Sequence, residues 1–581
     1  MLEGIAGSPG LSIGRAVVVD THRPGVVRRH ISRAAADGEL QRFDAAAVSA
    51  ASALRDVAER VRKGPGRAES SILEAYVLMV QDETLREDVE RRIRIDQQCV
   101  EWALESTIVD MAAQMREGDD PYLAERSHDF EFIGDRLLMA LSGRKRDAVT
   151  PRLDAPGIVV GSDLSPAETA TFDRGHVLAM ATEIGTRTSH TAILARALEI
   201  PAVVGVRRLL EVVGNGDMLI VDGTRGRVVV SPDAETIERA SKRAERRLVQ
   251  VRGLLEARDA PATTRCGAAV QLSANIELPG EAEIAVDLGA QGVGLYRTEF
   301  LYVDRSQPPG ELEQYETYAR VLSAMGGRPV TLRTFDIGGD KFVSAFQVPK
   351  DMNPALGLRA IRLGLSRPEI LKTQFRAMIR ASAHGDLRIM IPMIASLSEL
   401  TQARELFAQA RAEVSAAGHG SAAEIPLGIM VEVPSAAVMA DVLAQDAEFF
   451  SIGTNDLVQY TLAVDRTNRE LAHLATHFDP SILRLIRGVV AAAVAKGRPV
   501  VVCGAMASDP LATVLLLGLG LRNLSMEAAA IPKVKAAIAR VTLAEAEALA
   551  LQALGLGTAT EVEALAQAAL ADRLADLIDD A

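Results

Sequence analysis

The sequence predicts a multidomain α/β chain: a split α/β domain carrying an inserted four-helix subdomain, followed by a C-terminal (β/α)8 barrel. Three observations predict it. From Thr263 onward, eight short apolar strands alternate with helical stretches, the signature of a barrel with its ring of helices. Between about Ser32 and Ser142 the pattern is almost wholly helical, whereas short strands lie on both sides of it. A highly charged helical stretch, Ala234 to Arg258, then separates the two halves. The 581 residues exceed one ordinary hydrophobic core, so roughly two to four domains are expected.

The elements follow in order. Gly10–Val19 reads as a turn leading into a strand, and Ile158–Val160, Val177–Ala179, Ala202–Gly205 and Leu219–Asp222 read as further strands. Four amphipathic runs fill the excursion: Leu40–Val61, Ser71–Ile95, Val100–Met115 and Tyr122–Leu141. They are punctuated by Gly64-Pro65-Gly66, Asp96 and Gly118–Pro121. The barrel strands are Val270–Asn275, Gly292–Tyr296, Val330–Arg333, Leu387–Ile391, Leu427–Glu432, Glu448–Ile452, Pro499–Cys503 and Asn523–Met526. The expected boundaries are 1–31 plus 143–232 for the split domain, 32–142 for the helical subdomain, 233–260 for the linker helix and 261–581 for the barrel.

Composition narrows the function. A net charge of −13 argues against generic binding to nucleic acid or anionic lipid, while leaving small anions open to local cationic sites. The three cysteines, Cys99, Cys266 and Cys503, are far apart and lack metal-ligand spacing, which suits a reducing compartment. The N-terminus has no basic segment followed by an apolar one, and no apolar span reaches membrane length. A cytoplasmic protein is therefore expected.

Two groups of residues carry chemistry. In Thr188-Ser189-His190-Thr191, two N-cap candidates precede a run with Ile193, Leu194, Ala197 and Leu198 on one helical face, and Pro201 follows. His190 thus sits at a helix start, where free N–H groups and the dipole disfavour imidazolium and welcome an anion; Arg187 adds a cation. Such a ring nitrogen can attack a phosphoryl group and carry it, although a histidine so placed is in isolation more often a solvent-facing residue. The second group stands at the strand ends of the barrel: Arg297, Arg333, Glu432, Asn455, Asp456 and Cys503, on the face where barrel enzymes gather catalytic groups. Arg297, Arg333 and Arg466, supported by Arg359 and Lys341, can hold a small polyanion by two ends. Glu432 and Asp456 are hard ligands suited to one Mg²⁺, though by themselves they read equally as solvated loop carboxylates; Cys503 can donate a proton to a carbanionic product, though a single Cys is more often a small buried hydrophobe.

These residues also carry a resemblance. The chain is similar to enzyme I of the bacterial phosphoenolpyruvate:sugar phosphotransferase system, over nearly its whole length. The matching segments are collinear: Gly7-Ser8-Pro9-Gly10, Arg187-Thr188-Ser189-His190-Thr191, Gly292 to Phe300, Arg333 to Lys341, Asn353-Pro354 with Arg359 to Arg362, Ile391-Pro392-Met393-Ile394, Met430 to Pro434, Ser451 to Leu457, Ala463 to Arg466, and Cys503-Gly504. The resemblance implies a swivelling phosphohistidine domain, an inserted subdomain that docks the carrier protein HPr, and a barrel that binds phosphoenolpyruvate and dimerises. It implies that His190 accepts the phosphoryl group and passes it to HPr. It further implies that Arg297, Arg333, Asn455 and Arg466 bind phosphoenolpyruvate, that Glu432 and Asp456 hold Mg²⁺, and that Cys503 protonates the enolate to pyruvate. The hinges of such a swing are expected in the charged linker and in the glycine-containing approach to Thr186.

Two departures stand out. Ala505 follows Cys503-Gly504 where the family usually has glutamate, and Thr186 replaces the second glycine that commonly precedes the histidine motif. Two other readings stay in view. A dikinase or synthase sharing the swivelling histidine domain needs a nucleotide-binding domain, for which the chain has neither room nor a Gly-rich loop. A regulatory sensor of phosphoenolpyruvate finds support in Ala505 alone.

Overall fold

The computed structural model describes all residues except 20–25, 63–75, 78, 118–120, 143–155, 163, 165–175, 186–188, 190, 193–194, 196–199, 303–306, 339–352, 466–467, 469–470 and 579–581. The chain divides into two compact units, 1–249 and 250–580, and the boundary falls within the helix Ala234–Glu256.

In the first unit, eight strands form one sheet: β1 (Leu2–Glu3), β2 (Ile5–Ser8), β3 (Leu11–Val18), β4 (Gly157–Gly161), β5 (Val177–Thr182), β6 (Ala202–Val204), β7 (Met218–Asp222) and β8 (Arg227–Val230), in the order β1-β8-β7-β3-β4-β5-β6-β2. β3 pairs in parallel with β4 and antiparallel with β7. The chain therefore leaves the sheet after β3 and rejoins it beside the same strand, as a split domain requires. β1, β2 and β8 are additions to the predicted set; each has only two to four residues, too few to show an alternating pattern.

The excursion contains helices Ala36–Arg62, Glu83–Arg94, Val100–Glu117 and Pro121–Leu141. Phe43, Leu54, Leu85, Val89, Ile93, Leu104 and Ile133 form its buried seam. The expected continuous run Ser71–Ile95 is interrupted. Asp82 is extended and its carboxylate accepts from the N–H groups of Thr84 and Leu85, so it starts a new helix instead of continuing one.

The second unit is a closed barrel of eight parallel strands: β9 (Gln271–Ile276), β10 (Val293–Tyr296), β11 (Val330–Arg333), β12 (Leu387–Ile391), β13 (Leu427–Val431), β14 (Phe450–Ile452), β15 (Val500–Val502) and β16 (Asn523–Glu527), with β16 pairing back to β9. Every predicted strand is present within one or two residues of its expected bounds. The small shifts matter for chemistry: β13 ends at Val431 and β15 at Val502, which places Glu432 and Cys503 just beyond the sheet, on the C-terminal rim. Two C-terminal helices, Leu543–Gly555 and Ala559–Ile578, bury Ala546, Leu549, Ala550, Leu570 and Leu574 against the barrel's outer shell, as their amphipathic pattern predicts.

Candidate active site

The barrel rim encloses a cavity of about 250 Å³ lined by Arg297, Arg333, Asp336, Glu432, Asn455, Asp456 and Cys503, together with Glu277, Leu295, Met430, Gly453 and Gly504. Six of the predicted residues thus meet in one place although they come from five different strand ends.

Arginine geometry dominates. Arg333 closes β11 and is buried, its Nη2 donating to Glu299 Oε1 at 2.8 Å and its Nη1 lying 3.3 Å from Asp336 Oδ2. Among the described residues its Nε has no hydrogen-bond partner, which leaves a buried donor unsatisfied on a residue that lines the cavity. Arg359 is buried behind this layer and is not one of the lining residues. Asp336 receives it in a fork, with Nη2 at 2.9 Å from both carboxylate oxygens and Nε 3.1 Å from Oδ1; Nη1 donates to the Tyr460 hydroxyl at 3.1 Å. Burial works against both guanidinium charges, and the facing carboxylates more than offset it: Glu299 and Asp336 for Arg333, Asp336 and Asp456 for Arg359. Gly338 allows this arrangement, because it has φ +109° and a Cβ there would lie 2.4 Å from the Leu358 carbonyl beside Arg359.

The carboxylates sit opposite. Glu432 is buried, and its Oε1 accepts the N–H of Met393 at 2.7 Å. Met393 adopts a left-handed conformation, φ +61°, a strained choice for a side-chain-bearing residue that aims this amide at the carboxylate. Asp456 lies in the first turn of the helix Thr454–Leu462, where the dipole favours negative charge. Burial raises the proton affinity of Glu432, and the nearby charges of Asp456 and Asp336 raise it further against the opposing pull of Arg333. Two buried carboxylates crowded in this way fit a bound dication, which would relieve their repulsion. Among the described residues no group of three or more His, Cys, Asp and Glu could hold a metal, so an ion here would take two protein ligands and draw the rest from substrate and water.

Cys503 completes the rim. Burial pushes its thiol up to about 11, the Glu432 charge adding to this while Ser451, Arg333 and Arg297 oppose it, so the thiol keeps its proton at neutral pH. The Cys503 carbonyl accepts from Asn275 Nδ2 at 2.9 Å, and Ser525 donates to Asn275 Oδ1 at 2.6 Å, which fixes the turn bearing the thiol. Gly504 follows under Thr454: a Cβ would lie 1.8 Å from the Thr454 hydroxyl. Ala505 presents an exposed methyl, and its N–H donates to Asn455 Oδ1 at 2.9 Å, a backbone contact that the side chain at this position does not alter.

His190, Arg187, Thr188, Lys341 and Arg466 lie outside the described residues. Beside the histidine, Thr191 and Ala192 are helical, Thr191 donates its hydroxyl to the Leu164 carbonyl at 3.2 Å, and Ala192 and Ala195 are buried. Sequence reasoning assigned no role to Asp336, Glu299, Asn275 or Glu277. The signal available for Asp336 and Glu299 was their position, three residues beyond Arg333 and two beyond Arg297, within runs already recognised at strand ends.

Fold and site together define a phosphoenolpyruvate-utilising enzyme. Three family profiles agree: the PEP-utilising enzyme N-terminal domain over residues 3–126, the mobile domain over 153–226 and the PEP-binding domain over 252–543. The chain is 40% identical over 545 residues to a phosphoenolpyruvate-protein phosphotransferase of Geobacillus stearothermophilus, covering 94% of each chain. It is 39% identical over 544 residues to that of Bacillus subtilis, covering 94% of this chain and 95% of the relative. A solution structure of Enzyme I (nEIt) matches 42% of this chain and 98% of its own at 34% identity, with a TM-score of 0.36. The chain belongs to the phosphoenolpyruvate-protein phosphotransferase family and is an enzyme of that kind.

Proposed function

We propose that this enzyme moves the phosphoryl group of phosphoenolpyruvate to a ring nitrogen of His190, then to a histidine of an HPr-type carrier, releasing pyruvate. The observation that carries the reading is the single cavity on the barrel rim in which Arg297, Arg333, Asn455, Asp456, Glu432 and Cys503 converge. Guanidinium groups grip the phosphate and carboxylate oxygens and offset charge on the transferring group. The bridging P–O bond breaks as the N–P bond forms, and the enolate left behind takes the Cys503 proton at carbon to give pyruvate. Held by Glu432 and Asp456, Mg²⁺ would supply further charge neutralisation at the phosphoryl oxygens. Arg466 and Lys341 add cations in this reading, and Arg187 and Thr188 support the histidine.

The remaining assignments belong to the same proposal: residues 32–142 as the carrier-docking subdomain, 233–260 as the linker, and 261–581 as the phosphoenolpyruvate-binding and dimerisation half. The exposed Val438 and Met439, at the C-terminal end of the helix Pro434–Val438 that follows β13, support association through the barrel. Among the described residues no helix is long and apolar enough to cross a membrane, and all three cysteines are free, which suits a cytoplasmic enzyme.

The test is incubation with labelled phosphoenolpyruvate and Mg²⁺. An acid-labile label is expected on the wild type and none on His190→Ala. Arg297→Ala and Glu432→Ala should abolish labelling, yet a phosphorylated His190 in these variants, loaded backward from phospho-HPr, should still return its phosphoryl group to HPr. Loss of both half-reactions in a folded variant contradicts the division of labour.

A further inference from the structure

Among the described residues, Glu277 is a lining carboxylate that pairs with a partly exposed arginine, Arg297. It follows β9 directly, as Arg297 follows β10, and the Arg297 N–H donates to the Ile276 carbonyl at 2.9 Å, so the two side chains leave neighbouring strand ends. The Arg297 Nη1 donates to Glu277 Oε1, and both residues line the cavity. The loop that presents Glu277 is itself pinned: Glu281 Oε2 accepts from the N–H of Glu277 at 2.7 Å and from that of Leu278 at 3.1 Å. The carboxylate is therefore held beside Arg297 by the backbone.

We propose, resting on the reading of this cavity as the phosphoenolpyruvate site, that Glu277 is a displaceable counter-ion of Arg297 that selects strongly charged anions and helps expel the monoanionic product. The contrast with the inner arginines carries the argument. The Arg333 side chain is 5% exposed and its Asp336 and Glu299 partners 2% and 11%, whereas Arg297 and Glu277 are 37% and 56% exposed. Solvent screens the outer pair and weakens it, so it yields where the inner pairs do not. A ligand bearing two or more charges on planar or tetrahedral oxygens outbids one carboxylate for the guanidinium fork. A monocarboxylate such as pyruvate offers no more charge than Glu277 itself, and Glu277 recaptures Arg297 as pyruvate leaves.

The experiment compares the full-length wild type with Glu277→Gln, a nearly isosteric change on an exposed loop. Calorimetric titration with oxalate, and separately with inorganic phosphate, should show roughly two- to fivefold tighter binding in the variant, the scale of an exposed ion pair. The KM for phosphoenolpyruvate should fall by a similar factor, and product inhibition by pyruvate should tighten. Unchanged or weaker oxalate and phosphate binding in Glu277→Gln overturns the proposal, since Glu277 would then be inert or would orient Arg297 for the anion. The titrations need no turnover, so they decide the role of Glu277 even if phosphoenolpyruvate leaves no label on the protein, an outcome that would overturn only the parent reading.

Discussion

Asp336→Asn probes the buried frame behind the cavity. Asp336 receives three Arg359 contacts of 2.9 to 3.1 Å and stands 3.3 Å from Arg333, in a place where its side chain is 2% exposed. The asparagine keeps the volume, so the loss is one of charge. Removing one partner of a buried ion pair costs about 3–5 kcal/mol because the other charge is left uncompensated. Here the lower end applies, since Arg359 keeps the Tyr460 hydroxyl and Asp456 at 3.7 Å, and Arg333 keeps Glu299. About 3 kcal/mol corresponds to a barrel melting transition roughly 6 °C lower at the 2 °C per kcal/mol typical of large domains. Catalysis should suffer separately: losing the alignment of one electrostatic donor costs about 10²–10³ in rate, so kcat/KM for phosphoenolpyruvate labelling should drop at least about a hundredfold. Calorimetry and labelling read the two effects independently. A variant that melts and labels like the wild type refutes the view that Asp336 pre-orients the arginines.

Two further outcomes are expected. Gly504→Ala forces a methyl to within 1.8 Å of the Thr454 hydroxyl, at the start of the helix bearing Asn455 and Asp456. Overpacking of this kind costs about 1–3 kcal/mol, and the displaced helix should reduce labelling more than about tenfold while circular dichroism stays native. Alkylation by iodoacetamide at pH 7.5 should reach Cys266 well before Cys503. The hydrogen bond from the Leu543 N–H, helped by the Thr264 hydroxyl, lowers the exposed Cys266 thiol, whereas burial holds Cys503 protonated up to about 11. Peptide mapping that finds Cys503 modified first contradicts the buried, protonated thiol on which its role as proton donor rests.

Much of this could be read from the chain because barrel strands announce themselves twice, by apolar runs and by the polar residues that end them. Arg297, Arg333, Glu432 and Cys503 each terminate a recognisable strand, and a fold that places all such ends on one rim makes them neighbours. Glu277 and Asp336 were legible as residues but not as actors. Their work depends on partners 20 and 23 residues away, and nothing local distinguishes a carboxylate that clamps an arginine from one that faces solvent. The same limit applies to Arg359, expected to support the ligand-binding arginines: its bonds to Asp336 behind the cavity wall depend on a partner that no local pattern names. The short strands β1, β2 and β8 escaped notice because their order comes from pairing with distant partners, a tertiary effect with no periodic trace.

Asn275, from the opening strand of the barrel, hydrogen bonds the Cys503 carbonyl and accepts from Ser525 of the closing strand. The thiol's seat is thus a joint between the two ends of a 250-residue assembly process in which β16 must dock on β9. During synthesis, every other cavity residue emerges from the ribosome before that joint can form. A nascent chain that has not yet added β16 therefore lacks the Ser525–Asn275 bond that helps fix the turn bearing Cys503.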